Sequence, residues 1–457
     1  MTASTLIIPV ENQVRELDAK LFLASVAVER GFPVILGSRA FVHYQVASIP
    51  RGVYLAKSMR KLSNRMFRIL RKLGHEIVAW DEEGLVRFAG EEYYRRRLSP
   101  TAVREVAHLM AWGEDNANAL RQYPDYHGAP VHITGNPRVD LMRPELREFY
   151  RPDADRIREK YGDFLLINTN FGQINHFYSH LGEMKAAVEG RGPDADNPYD
   201  VGRGRMKVHL FEAFLSMLPV LCDAFPQQAI VLRPHPSESH EPWLAIAARH
   251  PNLHVVNEGS VVPWLLAARA LVANGCTTLI EAAVLGLPAV NFRPLSEPGL
   301  EDPLPQQFGC PAGSVAQLVT TLKALLAGDD PGAVPSEQQQ QLLSHHIAAL
   351  SGPFAAERMV GVLVAAGYDQ RQPPPVPLRS FLQGWLHTRL RTANKRINMH
   401  RPGHRNNVRY HDHRFPPISV IELQQRIDRL GALTGRFSGI RIRQTSRHMY
   451  RIDPPAT

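Results

Sequence analysis

Apolar and polar positions alternate in blocks along the chain. Short apolar runs at 5–10, 33–36, 76–80, 108–112 and 131–134 have the length and bounding residues of buried strands. Between the first two, Val14, Leu17, Leu21 and Val28 recur at helical spacing, and Gly31 closes the stretch. Residues 138–161 are polar, carry charge of both signs and read as helical, so they are the expected hinge. A second series of runs follows at 164–168, 229–232, 253–256, 270–273 and 289–292. Strands alternating with helices predict a parallel, doubly wound sheet. Two such series predict two Rossmann-like α/β domains facing a cleft, at 1–145 and 146–367. A C-terminal extension at 368–457 opens on the proline-rich linker QRQPPPVP at 370–377, expected to be extended. Residues 331–340 read as a loop, and the chain has no internal repeat.

Composition narrows the class. A length of 457 residues suits two domains. Cys222, Cys276 and Cys310 are scattered, which fits neither a disulfide framework nor a metal cluster, and a reducing cytoplasm is expected. The N-terminus lacks the basic region of a leader, and its apolar run is too short. No stretch approaches the roughly 20 apolar residues of a membrane span. The best, 261–273, contains Arg269.

Charge is unevenly placed. From Tyr368 onward there are 17 Lys and Arg against 5 Asp and Glu, while the rest holds 36 against 39. A near-neutral body with a basic tail implies an acidic partner: nucleic acid, anionic lipid or a phosphorylated acceptor. Nucleic acid is not expected, because the tail has no interleaved aromatics and no known binding module. Residues 57–72 (KSMRKLSNRMFRILRK) carry seven basic side chains and no acidic one, with Met59, Leu62, Met66, Phe67 and Leu70 at helical spacing. Residues 378–397 repeat the theme, setting Phe381, Leu382, Trp385, Leu386 and Leu390 against Arg379, Arg389, Arg391, Lys395 and Arg396. Each reads as a solvated face over a core stripe, or as a basic amphipathic helix in peripheral contact with the inner face of an anionic membrane.

Ligands of open parallel sheets bind beyond the carboxyl ends of the strands, so the residues there are the candidate chemistry. Asp81-Glu82-Glu83-Gly84 follows 76–80 and can supply a general base for an acceptor hydroxyl, or can be a solvated acidic turn. Arg233-Pro234-His235-Pro236-Ser237-Glu238 follows 229–232. Its prolines would pre-aim His235 toward a phosphate or leaving nucleotide, and Arg233 could pair with phosphate oxygens; the alternative is a stiff loop exit. Asn274-Gly275-Cys276-Thr277-Thr278 leads into a helix. Gly275, the helix N-terminus and both hydroxyls would cradle a phosphate, while Thr278 with Glu281 also matches a capping box, or Glu281 reaches a ribose hydroxyl. Thr169 and Asn170 follow 164–168 as donor or acceptor contacts, or as a plain turn. Asp194-Ala195-Asp196 has the string of a metal motif but no preceding strand, and neither a metal site nor a cofactor is expected. A P-loop and a G-x-G-x-x-G after the first strand are both absent.

Taken in order, IPVENQVRELDAKLFLA with RGFPVILG, GHEIVAWDEEG, TGNPRVDLM, RPHPSE and NGCTTLIEAAVLGLPAV resemble the surface carbohydrate biosynthesis protein family over roughly the first 310 residues, and FPPISVIELQQRI resembles it weakly. The order is also similar to bacterial sialyltransferases and Kdo transferases. That resemblance implies a metal-independent GT-B glycosyltransferase of bacterial surface polysaccharide, such as capsule or lipopolysaccharide. It would move a nonulosonate or Kdo-type sugar from a CMP-activated donor to a glycan or lipid-linked acceptor. On this resemblance Glu82 or Glu83 is the base, His235 and Pro236 contact the nucleotide, and Thr277 and Thr278 hold its phosphate. TGNPRVD also resembles UDP-GlcNAc 2-epimerases, so a UDP-sugar epimerase or a polyol-phosphate transferase is the alternative enzyme. A non-catalytic nucleic-acid- or membrane-binding protein is the alternative of another class.

Overall fold

The computed structural model describes residues 3–455, apart from 89, 179, 181, 193, 330–334, 403 and 405. The chain divides into two compact units. Unit 1 takes Met1–Leu85, Gly90–Phe149 and Ser344–Thr457, and unit 2 takes Val86–Ala89 with Tyr150–Leu343. Strands β1 (Thr5–Val10), β2 (Val34–Ser38), β3 (Gly52–Ala56), β4 (Glu76–Trp80), β5 (His108–Ala111) and β6 (Val131–Ile133) come first. Unit 2 supplies β7 (Phe164–Asn168), β8 (Ala229–Arg233), β9 (Leu253–Val255), β10 (Ala270–Ala273), β11 (Ala289–Phe292) and β12 (Cys310–Ala312). The chain then returns to unit 1 for β13 (Arg441–Ser446) and β14 (Met449–Asp453).

The sheet of unit 1 runs β13-β14-β2-β1-β3-β4-β5-β6. Strands β1 to β6 are parallel. All six residues of β1 are buried, so the strand reads as a continuous apolar run, because helices cover both faces of a parallel sheet. The helix Gln13–Glu29 is buried almost throughout from Leu17 to Val28 and packs against the helix Ala355–Ala365. β14 joins antiparallel to β2, with Met449 opposite Gly37 and Ile452 opposite Val34. Gly37 permits this: a Cβ there would lie 2.4 Å from the carbonyl oxygen of His448.

The sheet of unit 2 is wholly parallel in the order β12-β11-β10-β7-β8-β9. This is the Rossmann order, and the strand sequence reverses between β7 and β10. Its core gathers Phe171, Phe214, Trp243 and Phe292 under the long helix Pro198–Ala224, whose Leu210, Phe214, Met217 and Leu221 follow helical spacing.

Several expectations are corrected. The basic tail is not a separate extension: β13, β14 and the helices Leu378–Met399 and Val420–Thr434 belong to unit 1, as does everything from Ser344. β3, β12, β13 and β14 were not expected. The helix foreseen over 57–72 begins at Asn64, after a short 3-10 turn at Lys61–Ser63. Of the loop foreseen at 331–340, residues 331–334 lie outside the described residues, and Glu337 already starts the helix Glu337–His346.

Candidate functional site

In unit 2 the loops leaving β7 and β8 are bound together by one carboxylate. Glu238 is 1% exposed and accepts four kinds of donor. The Thr169 hydroxyl donates at 2.8 Å, the Phe171 N–H at 2.9 Å, the His235 N–H at 3.0 Å and the Trp243 indole N–H at 3.3 Å. Burial pushes the Glu238 carboxyl up to about 7, against the pull of these donors. The His235 ring is aimed from the same loop. The Ser237 N–H donates to its Nδ1 at 3.2 Å, and the Ser237 hydroxyl lies 2.8 Å away. A backbone N–H can only donate, so Nδ1 is the acceptor and the neutral ring carries its proton on Nε2. Gly172 makes room for Ser237: a Cβ there would fall 2.0 Å from the Ser237 hydroxyl.

The strand reversal beside β7 also holds two polar groups that the protein itself does not match. Asn168 ends β7, is 5% exposed, and both atoms of its side-chain amide lack a hydrogen bond among the described residues. Lys207 projects from the long helix, is 7% exposed, and has neither a hydrogen bond nor an ion pair among the described residues. Its ammonium sits 5.9 Å from the Phe171 ring centroid. Burial, then the charge of Arg203, lowers its pKa, against the opposing pull of Asp302, Cys276 and Glu238. Arg203 is itself committed to Asp302 at 2.6 Å. The helix Thr277–Leu285 begins beyond β10, and Gly275 turns into it at φ 49°. A buried cation without an ion pair, an unsatisfied amide and a helix N-terminus are the groups of unit 2 with the chemistry to meet an anion.

Not every predicted residue joins these groups. Arg233 donates to the carbonyls of Glu258 at 2.7 Å and Gly259 at 3.0 Å, and its guanidinium lies over the Trp264 ring. It holds the loop after β9 rather than reaching for phosphate. The Thr169 hydroxyl is taken by Glu238, while Asn170 is exposed. The capping-box reading of Thr278 and Glu281 is corrected: the helix is capped at Cys276, whose thiol lies 2.7 Å from the Thr278 hydroxyl. Thr277 and Thr278 are half-buried in the first turn, and Glu281 is buried one turn on. Pro236 is half-buried beside His235.

In unit 1 the acidic motif after β4 is neutralised. Asp81 is 1% exposed and gripped by Arg97, whose Nε donates at 3.0 Å. Glu82 is 2% exposed, accepts from the Trp80 indole at 3.0 Å, and lies 3.7 Å from Lys20. Glu83 alone keeps a half-open side chain, 37% exposed, in a two-pronged pair with Arg15 at 2.8 and 2.9 Å. Burial would raise its carboxyl, but Arg15, Arg97, Arg138 and Lys57 outweigh that and hold it at about 2. The strand reversal between β1 and β3 is also filled from within. Glu16 meets Lys20 at 2.6 Å and Lys57 at 2.5 Å, and Glu11 meets Lys57, Arg39 and Arg414 at 2.9–3.0 Å. The strand reversal of unit 1 thus pairs its acidic groups with cations, where Lys207 of unit 2 has no ion pair among the described residues.

Sequence reasoning missed Lys207, Asn168 and Glu238 as site residues. A signal existed for Lys207: it interrupts the apolar stripe that continues through Leu210, Phe214, Met217 and Leu221. Asn168 was read as strand, and Glu238 as part of RPHPSE without a role.

No protein-family model matches the chain, and no curated protein matches it by sequence. Solved structures do match in fold. One is the wall teichoic acid polymerase TagF, as a histidine-to-asparagine variant soaked with CDPG, at 12% identity over 80% of this chain and 89% of that one, with a TM-score of 0.50. Another is the Methanocaldococcus jannaschii UDP-GlcNAc 2-epimerase in complex with UDP-GlcNAc and UDP, at 10% identity over 79% and 99%, with a TM-score of 0.48. At such identities the likeness is one of fold: two Rossmann-like α/β units of GT-B type.

Proposed function

We propose that the chain is a GT-B glycosyltransferase of bacterial surface glycan synthesis that binds the phosphate of a nucleotide-activated sugar at the β7–β10 reversal of unit 2. One observation carries the reading: Lys207 is a buried ammonium with no hydrogen bond or ion pair among the described residues, in a unit where β7 ends on the unsatisfied Asn168 amide and β10 leads into the helix starting at Thr277. Burying an uncompensated charge is costly, so its retention there argues for an anionic ligand. An ion at this position would meet the positive end of the helix as well.

The chemistry divides between named groups. His235 offers Nε2–H to the departing nucleotide phosphate, and Lys207 with the first-turn N–H groups stabilises its growing charge. In the acidic motif, Glu83 is the carboxylate that reaches solvent, so it is the base we assign to the acceptor hydroxyl, ahead of Glu82. The acceptor oxygen gives its proton to Glu83 and bonds the anomeric carbon as that carbon's bond to phosphate breaks. Acceptor binding has to loosen the Arg15 clamp first, because a carboxylate held at about 2 is a weak base. The donor class, a CMP-activated acidic sugar, rests on the sequence resemblance of RPHPSE and NGCTT to sialyltransferase and Kdo-transferase motifs.

The test is calorimetric titration of the full chain with CMP, CDP, UDP and GDP, repeated on Lys207→Met and His235→Ala. Tight binding of cytidine nucleotides that weakens at least about tenfold in Lys207→Met supports the reading. Preference for UDP with the same loss keeps the site and moves the substrate to UDP-sugars, including epimerisation. Unchanged affinity in both variants removes the site.

A further inference from the structure

The helix Leu378–Met399 is mounted inside out. It lies against unit 1, beside the helix Asn64–Lys72, through Gly384, Thr388 and Thr392, its buried positions, with Phe381 half-buried against the core. A Cβ at Gly384 would come within 3.0 Å of the Lys72 side chain, so the approach is close. The leucines face the other way. Leu378, Leu382, Leu386 and Leu390 are 72, 54, 50 and 58% exposed, and Ile397 is 65% exposed. Their four-residue spacing puts them on one continuous stripe, with Trp385 at its edge. A contiguous apolar stripe of this kind, rimmed by charge, marks a contact surface.

The charge around it is of one sign. The helix carries Arg379, Arg389, Arg391, Lys395 and Arg396 and no acidic residue. Arg389 lies over the Trp385 ring at 5.1 Å. Next to the stripe is a cavity of about 350 Å³, lined by Leu62, Arg65, Met66, Arg391 and Lys395 among others. Arg65 and Arg391 share this cavity, and neither has a hydrogen bond or ion pair among the described residues. Leu62 at its rim is 74% exposed. Two guanidinium groups around an open cavity, next to unburied leucines, match a phosphate headgroup joined to an acyl chain. A second copy of the chain would bring five like charges against five, which disfavours self-pairing.

We propose that this face of unit 1 docks on an anionic lipid surface. The leucine stripe enters the boundary between headgroups and acyl chains, Arg65, Arg391 and Lys395 take lipid phosphate in the cavity, and Arg379 and Arg396 reach up to the headgroups along their own stems. The docking is independent of the nucleotide chemistry of unit 2, so either can fail alone.

The experiment is flotation of the full chain with phosphatidylcholine vesicles, with and without phosphatidylglycerol. The expected result is binding to the anionic vesicles only, weakened by salt. Leu382→Ser with Leu386→Ser, and separately Arg65→Gln with Arg391→Gln, should each weaken it by at least about tenfold, since each surface cation contributes about fivefold. These side chains are exposed or line an open cavity, and circular dichroism checks that the variants fold. A measurement on the unmodified chain does not depend on them: lipid brominated along its acyl chains should quench tryptophan fluorescence, and Trp385→Phe should remove that quenching. No binding, equal binding to neutral vesicles, or variants that fold and bind unchanged would overturn the proposal. So would loss of a dimer in the leucine variant by sedimentation equilibrium, or tighter binding to random duplex DNA than to vesicles.

Discussion

Replacing Glu238 by glutamine keeps the size of the side chain and changes its proton chemistry, and the structure sets how large the effect should be. The carboxyl is 1% exposed, and burial pushes it from an ordinary value to about 7. In the unfolded chain it ionises near the usual glutamate value of about 4.3. Between these two values the unfolded state releases a proton that the folded state retains. Folding therefore loses stability as pH rises through that window. A shift of this size is worth about 3.7 kcal/mol in full, and about 2.5 kcal/mol of it falls between about pH 5 and about pH 8. Glutamine has no such titration. It loses something else: one edge of the side chain becomes an NH2 group, which cannot accept from the Thr169 hydroxyl or the Trp243 indole. That costs about 1–3 kcal/mol at every pH. The Glu238→Gln chain should therefore be clearly less stable at about pH 5, and should approach or match the parent at about pH 8. Urea titrations at the two pH values, followed by tryptophan fluorescence, measure the difference directly, since Trp243 is itself a partner of the carboxyl. A difference between the two proteins that is the same at both pH values would refute the argument. It would mean that the four donors hold Glu238 ionised, and that burial does not win.

Three further outcomes follow from the site. Lys207→Met removes an unmatched buried charge, so it should raise stability by about 1–3 kcal/mol in urea unfolding while nucleotide affinity falls at least about tenfold; a loss of both would mean Lys207 is structural. Gly172→Ala puts a Cβ on the Ser237 hydroxyl and turns it away from His235, so kcat/KM for transfer should fall about tenfold with stability changed by under about 1 kcal/mol. Arg15→Gln releases Glu83 from about 2 toward the usual carboxylate range. A base works only when ionised, so the acid limb of the pH–rate profile should move to higher pH, by less than the full return to the usual range because Arg97, Arg138 and Lys57 remain, and an unmoved limb would exclude Glu83 as the base.

Much of the fold was legible in the chain because parallel strands buried on both faces are written as plain apolar runs. The runs at 5–10, 76–80, 164–168, 270–273 and 289–292 coincide with β1, β4, β7, β10 and β11. β3 was missed because it opens on Gly52, which a strand reading discounts. There the glycine is needed, since a Cβ would meet the Thr5 carbonyl at 1.9 Å. β13 was missed because it is a polar edge strand, in which Arg441, Arg443 and Gln444 give no apolar signal, and β14 because its run Met449–Asp453 is broken by Arg451. The site was legible in its loops and not in its charges. The stations after β4, β7, β8 and β10 follow from strand ends alone. That Arg233 is committed to carbonyls, that Glu83 is clamped, and that Lys207 is left open depends on residues distant in sequence that only the fold brings together.

The return of the chain to unit 1 has a consequence for synthesis. Unit 2 is contained almost wholly in Tyr150–Leu343, so it emerges complete while the Ser344–Thr457 part of unit 1 is still unmade. Unit 1 cannot then be finished, because the partner of β2 is β14, the last strand. At ribosomal rates of about 5–20 residues per second, the outer edge of β2 stands open for roughly 20–80 s, with five buried-type residues awaiting a neighbour. A chain interrupted after Leu343 would leave the ribosome with one unit able to fold and the other carrying a bare apolar edge. Such fragments should be found with chaperones or in aggregates, not in solution.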